Sequence, residues 1–135
     1  LEKRRLNKAL DFKLEIDREV DQDKSKIPPF ILQPIIENAI WHGINHPEIK
    51  EGKIEVIITK KEDFLQFVIQ DNGVGIQYTT QLKKTHNSMA TKISLKRILL
   101  LERKYNYAAQ YRIVDLKNEN LKGTRVRFLL PITYE

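Results

Sequence analysis

The chain has 135 residues, 41% of them apolar and 31% charged, which suits one domain with one hydrophobic core. The longest apolar run is Ile98 to Leu101, far short of the roughly 20 residues that a membrane-spanning helix needs. Cysteine is absent, which excludes disulfides, thiolate metal sites and a cysteine nucleophile. The chain begins at Leu1 without a methionine or a signal-peptide pattern, so we expect a soluble piece of a longer protein.

The net charge of +6 is concentrated in one part of the sequence. Between Leu82 and Arg112, eight lysines and arginines stand against Glu102 alone, whereas the rest of the chain is close to neutral. Such a stretch suits a polyphosphate ligand, a nucleic-acid backbone or an acidic partner, and a solvated helix face has the same composition. Few aromatic residues are interleaved with these cations, so we expect no nucleic-acid binding.

The first part of the chain predicts a strand followed by a helix. Leu1–Ala9 is polar, and we expect it to be the end of an upstream helix or linker, with the domain proper at residues 10–135. Apolar and charged residues alternate from Leu10 to Ile16, which is typical of a half-buried strand. After Pro28-Pro29 a helix is expected to about Gly43, because proline is tolerated in the first turn of a helix.

The predicted helix that ends near Gly43 has two different faces. The apolar face predicts burial, and the polar face offers groups for chemistry. The apolar face comprises Ile31, Leu32, Ile35, Ile36, Ala39, Ile40 and Ile44, and the polar face comprises Gln33, Glu37, Asn38, Trp41 and His42.

The rest of the chain predicts two hairpins separated by a long loop and a second helix. The expected elements are, in order, a hairpin of Lys53–Lys60 and Phe64–Gln70, a loop from Asp71 to Ser88, a helix at Met89–Tyr105, and a hairpin of Gln110–Leu116 and Thr124–Leu130. Paired strands with two helices predict an α+β fold. We expect a two-layer sandwich, with a mixed, mostly antiparallel sheet and the helices packed on one face.

Two places on this framework could carry chemistry. Glu37 and Asn38 adjoin on the polar face of the first helix, where an amide oxygen suits Mg²⁺ and a carboxylate suits a base, although a solvated helix surface is an equal alternative. Asp71 ends a predicted strand and is followed by Gly73 and Gly75. This pattern suits a flat heterocycle that donates a hydrogen bond, although Asp-Asn-Gly alone is also an ordinary turn.

Taken in order, these elements resemble the ATP-binding catalytic domain of sensor histidine kinases, whose Bergerat-type nucleotide-binding fold is shared with gyrase, the Hsp90 chaperone and MutL. The resemblance covers Phe12 to Pro131 and is strongest to the LytS/YehU-like subfamily. In that subfamily a Pro-Pro segment leads to a Gln-Pro-x-x-Glu-Asn-Ala-x-x-His-Gly helix, here Gln33, Pro34, Glu37, Asn38, Ala39, His42 and Gly43. The Asp-x-Gly-x-Gly segment at Asp71 and the Gly123-Thr124 pair support the same identification.

The resemblance implies that the chain binds ATP and Mg²⁺ and acts as a protein-histidine kinase. Asn38 would coordinate Mg²⁺, and Glu37 would be the base that activates the acceptor histidine. Asp71 would accept a hydrogen bond from the adenine amino group, with Thr124 supporting it. The other nucleotide-binding positions that the resemblance implies are His42, Gly73, Gly75, Lys83, Lys84 and Ser88, with the loop from Gln77 to Ser88 as a lid over the triphosphate.

The resemblance also implies partners outside this sequence. The acceptor histidine would lie on an upstream helix of the same protein, and a response regulator would be the final recipient of the phosphoryl group. The full-length protein would be a homodimer, anchored in the inner membrane, with this domain in the cytoplasm.

Two positions depart from the family pattern. The glycines expected at the end of the lid are missing, because His86–Thr91 contains none, and Trp41 stands where many relatives carry a lysine. A second interpretation therefore stays open, in which the chain is a degenerate domain that binds adenine nucleotide without transferring phosphate.

Overall fold

The computed structural model describes residues 8–21, 29–75 and 84–132. These residues form five strands and two α-helices, with a π-helical segment at Ala39–Ile44 and a 3-10 turn at Leu116–Glu119. The strands are β1 (Leu10–Ile16), β2 (Gly52–Lys61), β3 (Phe64–Asp71), β4 (Arg112–Asp115) and β5 (Thr124–Pro131), and the helices are α1 (Pro29–Asn38) and α2 (Lys84–Tyr105).

The five strands form one mixed sheet in the order β1-β2-β3-β5-β4. The β1-β2 pair is parallel, and the other three pairs are antiparallel. The predicted α+β class, the mostly antiparallel sheet and both hairpins are confirmed.

One face of the sheet forms the floor of the core, because apolar residues alternate along its three central strands. Phe67 and Phe128 lie directly opposite each other on β3 and β5, both fully buried, with ring centroids 5.3 Å apart. The buried side chains of this face are Ile54, Val56, Ile58, Leu65, Phe67, Ile69, Val126, Phe128 and Leu130.

The helices cover this face and complete the second layer. Ile31 and Ile35 of α1 and Ile98 of α2 are buried in the same cluster as the strand residues. The two helices are joined by Ser94, whose fully buried Oγ donates a hydrogen bond to the Ile31 carbonyl at 3.1 Å. Across the described ranges, neither helix is long and apolar enough to span a membrane.

The alternation of β1 correctly predicts a strand but wrongly predicts that it is half buried. Leu10, Phe12 and Leu14 are 37%, 48% and 53% exposed, although they point to the same face as the buried residues of β2. In the described parts of the chain β1 is an edge strand that makes its contacts with β2. Alternation reports which residues share a face, and it cannot report whether a helix covers that face.

The structure corrects three predicted boundaries. The first helix is α-helical only to Asn38 and continues to Ile44 as the π-helical segment, whose backbone hydrogen bonds span five residues instead of four. The predicted loop to Ser88 is wrong in its last five residues, since α2 begins at Lys84 in a stretch free of helix-breaking glycine and proline. β4 is also shorter than predicted, because the 3-10 turn follows Asp115 directly.

The burial difference between two phenylalanines of the sheet is testable. Phe67→Ala should lower the free energy of unfolding by about 3–5 kcal/mol, because it leaves a cavity in the core. Phe12→Ala should lower it by less than about 1 kcal/mol, because half of that ring is already in water. Urea titrations of both variants measure the difference, and equal losses would mean that the apolar face of β1 is covered.

Candidate functional site

Three of the five glycines, Gly43, Gly73 and Gly123, lie against Asp71 at one end of the sheet. β3 ends there, and β2 and β5 begin there. A Cβ on Gly123 would overlap the Asp71 carbonyl oxygen, and a Cβ on Gly43 would lie 3.5 Å from Asp71 Oδ1. The absence of a side chain at Gly123 allows its backbone to pack directly against that of Asp71, and Gly43 brings a third segment to the carboxylate.

Asp71 is buried at the last position of β3, with only 8% of its surface exposed. It pairs with Ile54 of β2 and Thr124 of β5, so its side chain points to the helix-covered face. Its Oδ1 accepts a hydrogen bond from the Gly73 N–H at 2.8 Å, and the Thr124 N–H also bonds the carboxylate. Burial outweighs these two hydrogen bonds and raises the pKa of Asp71 from 3.8 to about 6.

The segment after Asp71 is in direct contact with the end of the π-helical segment. A Cβ on Gly73 would lie 2.5 Å from the carbonyl carbon of Gly43, closer than any side chain tolerates. The Val74 N–H donates to the Gly43 carbonyl at 3.3 Å. The predicted site residues of the first helix and those around Asp71 are therefore parts of one continuous wall.

The first helix presents Asn38 and Glu37 at different depths. Asn38 is half buried, and within the described ranges its Oδ1 is shielded from water without a hydrogen-bond partner. A buried amide oxygen without a donor is costly unless a ligand satisfies it, and it fits a hard cation such as Mg²⁺. Glu37 is exposed, and its Oε2 accepts a hydrogen bond from Gln33 Nε2 at 3.3 Å.

The other predicted positions are resolved to different degrees. His42 is half buried in the π-helical segment, on the same stretch of chain as Asn38. Lys83 and the predicted lid up to it lie outside the described residues. Lys84 and Ser88 lie in α2, where the structure describes their backbone only, so the prediction that they belong to a loop is wrong.

The β4–β5 turn supports this wall through contacts that the sequence did not reveal. Asp115 caps the 3-10 turn by accepting the Lys117 N–H at 3.0 Å, and its carboxylate lies 3.1 Å from where a Cβ of Gly75 would stand. Arg125 holds the turn to β3, with bonds of 2.8 and 3.1 Å to the Glu119 carboxylate and 3.0 Å to Gln70 Oε1.

The Asn72 side chain also makes long-range contacts, although the sequence marks this residue only as part of a turn. Its Oδ1 accepts the Lys53 N–H at 2.7 Å, and its Nδ2 donates to the Glu51 carbonyl at 2.9 Å. These bonds tie the turn after Asp71 to the start of β2. The Asp-Asn-Gly tripeptide signals a turn, but nothing local in it identifies these distant partners.

Comparison with known proteins gives a consistent set of relatives. Residues 28–134 match the family described as Histidine kinase-, DNA gyrase B-, and HSP90-like ATPase. The chain is similar to Sensor protein LytS of Bacillus cereus, with 27% identity over 133 residues, 97% of this chain and 22% of that protein. It is also similar to Sensor protein LytS of Oceanobacillus iheyensis, with 30% identity over 118 residues, 78% of this chain and 18% of that protein. The chain thus spans about a fifth of the length of these curated relatives.

Solved structures share the fold at lower identity. The histidine kinase domain of the Erythrobacter litoralis EL346 blue-light activated histidine kinase matches with a TM-score of 0.64 and 17% identity, over 92% of this chain and 52% of that one. Mycobacterial sensor histidine kinase MprB matches with a TM-score of 0.55 and 14% identity, over 93% of this chain and 84% of that one.

The raised pKa of Asp71 predicts a pH-dependent stability. Between pH 4 and 6 the folded protein holds a proton on Asp71 that the unfolded chain releases, so stability falls as the pH rises through this window. Above pH 6 the full cost is present, about 3 kcal/mol for a shift of this size. Asp71→Asn has no charge to bury. Its free energy of unfolding minus that of the parent should therefore increase by about 1–3 kcal/mol when the pH rises from 4 to 7.5.

Urea titrations of both proteins across this pH range measure the gain. A difference between them that does not change with pH would contradict the shifted pKa.

Proposed function

Because the chain belongs to the family of histidine kinase-, DNA gyrase B- and HSP90-like ATPases, we propose that it is the ATP-binding catalytic domain of a two-component sensor histidine kinase. The observation that carries the proposal is the buried carboxylate of Asp71, set among glycines at the end of the sheet. A charged acceptor in this position lowers the stability of the empty domain, and binding a hydrogen-bond donor is a function that accounts for its presence.

The donor that fits Asp71 is the amino group of adenine. A carboxylate accepts hydrogen bonds only, so it favours a base edge that presents N–H over one that presents a carbonyl. Gly73 and Gly75 would shape the pocket wall next to Asp71, because their lack of side chains lets this segment pack against the Gly43 backbone and the Asp115 carboxylate. Thr124 lies beside Asp71 on the neighbouring strand and supports it through its N–H.

The phosphate end of the nucleotide would lie toward the first helix. Asn38 would hold Mg²⁺ through Oδ1, and the bound cation supplies charge neutralisation at the phosphate oxygens. The lysines before and within the start of α2, Lys83 and Lys84, are candidate phosphate contacts. His42 and Ser88 complete the proposed nucleotide-binding positions.

Glu37 is the proposed base for phosphoryl transfer. Its exposed carboxylate accepts a hydrogen bond from Gln33 and lies next to Asn38 in sequence. From there it could remove a proton from an incoming imidazole while the acceptor attacks the γ-phosphorus. The acceptor would be a histidine on an upstream helix, and a response regulator would receive the phosphoryl group afterwards, as in two-component systems.

A second candidate function follows from the start of α2. The glycine-free stretch His86–Thr91 is helical, so most of its backbone N–H groups are engaged within the helix and are not available to wrap phosphates. This favours a degenerate sensor or interaction domain that binds adenine nucleotide without phosphotransfer. The two functions share the adenine site and differ only in the chemical step.

Calorimetric titration with ATP tests the shared site. The parent should bind ATP, and Asp71→Asn should bind it about ten- to hundredfold more weakly, because the amide turns a donor toward the adenine amino group. Asn38→Ala is the matched comparison at the other end of the nucleotide, and Mg²⁺ should improve its ATP affinity less than that of the parent. Equal affinities of the parent and Asp71→Asn for ATP would remove Asp71 from the site.

Labelled ATP distinguishes the kinase from the nucleotide sensor. The chain alone should not label its own histidines, whereas adding the upstream acceptor helix should yield acid-labile, base-stable phosphohistidine. Glu37→Gln should slow this transfer without weakening ATP binding, because it removes the base and leaves ground-state contacts intact. ATP binding without transfer to the restored helix would instead favour the sensor.

A further inference from the structure

Lys8 makes a set of contacts that the proposed function does not use. Its partly buried ammonium group, just before β1, donates to three backbone carbonyls, those of Ile44 at 2.7 Å, His46 at 2.8 Å and Ile49 at 2.6 Å. A lysine ammonium has three N–H donors, so this arrangement uses all of them. The acceptors lie 36 to 41 residues away in sequence, so Lys8 links the segment that leads into β1 to the turn after the first helix.

One of the three carbonyls that Lys8 binds, that of Ile44, ends the first helix, and the other two belong to the turn that follows it. Ile44 is the last residue of the π-helical segment, and the final carbonyls of a helix cannot find N–H groups within it. The Ile44 carbonyl also accepts the His46 N–H at 2.7 Å, and it lies at the negative end of the helix dipole, where a cation is favourable. A second bond reinforces the tie, because the Ala9 carbonyl accepts the Gly52 N–H at 2.9 Å.

The turn that Lys8 binds, at residues 44–49, directly follows Gly43, which contacts the Asp71–Val74 segment of the candidate nucleotide site. Ile44 is fully buried and follows Gly43, the residue whose backbone touches Gly73 and whose carbonyl accepts the Val74 N–H. The same Gly43 lies against the Asp71 carboxylate. A shift of the Ile44 carbonyl therefore reaches the two segments that hold Asp71 and Gly73 in place, with no flexible side chain between them to absorb it.

We propose that Lys8 is a positioning residue for the candidate nucleotide site, which sets the contact between the end of the first helix and the Asp71–Val74 segment. The inference rests on the proposed adenine-nucleotide binding at that site. By thermodynamic linkage, nucleotide binding strengthens the anchoring of Lys8 by the same factor by which Lys8 strengthens nucleotide binding. The backbone that enters β1 is thus coupled to nucleotide occupancy.

The test separates positioning from simple stabilisation of the fold. Lys8→Met keeps the apolar stem and removes every donor, and Leu130→Ala serves as the matched destabilised control, because Leu130 is buried at the opposite end of the sheet. At a temperature where all three proteins are folded, Lys8→Met should bind ATP at least about fivefold more weakly than the parent. Leu130→Ala should bind ATP as tightly as the parent despite its lower melting temperature.

One further measurement needs no ATP, and another does not depend on the Lys8→Met variant. Exchange of the Val74 amide hydrogen in the nucleotide-free protein should be faster in Lys8→Met than in Leu130→Ala. In Lys8→Ala, n-propylammonium should restore ATP affinity, whereas tetramethylammonium, which has no N–H donor, should not. If Lys8→Met does not fold, Lys8→Gln, which keeps one donor group, replaces it in both comparisons.

The outcomes distinguish this inference from the proposed function. If the parent binds ATP and Lys8→Met binds it equally well, Lys8 is only a structural tie and the inference is overturned. If the parent does not bind ATP, the proposed function fails. Faster Val74 exchange in Lys8→Met would then still support the positioning role, and unchanged exchange would overturn it as well.

Discussion

A carboxylate held out of water at the end of a strand is the constraint around which the rest of this domain is arranged. Asp71 is kept there by three backbone segments that approach it closely, at Gly43, Gly73 and Gly123. The approaches at Gly73 and Gly123 require residues without a side chain, and Gly123 also adopts a positive φ of 112°, which other residues rarely adopt. The positions of the first helix, of the turn after β3 and of the β4–β5 hairpin all depend on these contacts.

The arrangement lowers the stability of the nucleotide-free domain, which is typical of a binding site. Burial raises the pKa of Asp71 to about 6, although two N–H groups already bond the carboxylate. The core below contributes stability elsewhere, through the stacked Phe67 and Phe128 and the apolar rows beside them. Proteins keep an unfavourable buried charge next to a stable core when function requires that charge. Asn38 also lowers the stability of the nucleotide-free domain, because its buried amide oxygen lacks a donor within the described ranges.

The sequence predicted the parts of the fold that depend on local periodicity. The alternation in β2 and β3 and the apolar stripe of the first helix are local signals, and the structure confirms both. The exposure of Phe12 and the π-helical segment were not predicted, because covering layers and helix pitch depend on tertiary packing. The structure pairs Asp71 with Thr124 on the neighbouring strand, whereas the role of the motif around Asp71 in nucleotide binding stays a prediction.

The supporting contacts of the site were beyond the reach of sequence reasoning for a physical reason. Lys8, Asn72 and Arg125 each bind a partner that is 19 to 55 residues distant in sequence, and Arg125 also binds Glu119, six residues away. Lysine and arginine are common on surfaces, so their composition gives no signal that a particular one binds backbone carbonyls or a distant side chain. Only the folded backbone brings these groups together.

The most direct test of the account is a ¹³C NMR titration of the Asp71 side-chain carboxyl group, without and with bound ADP. Without nucleotide, the midpoint should lie near pH 6, because burial disfavours the charged form. With ADP bound, the midpoint should fall, because the adenine amino group donates a hydrogen bond to the ionised carboxylate and stabilises it. A midpoint that ADP leaves unchanged would contradict the claim that this buried carboxylate recognises the base.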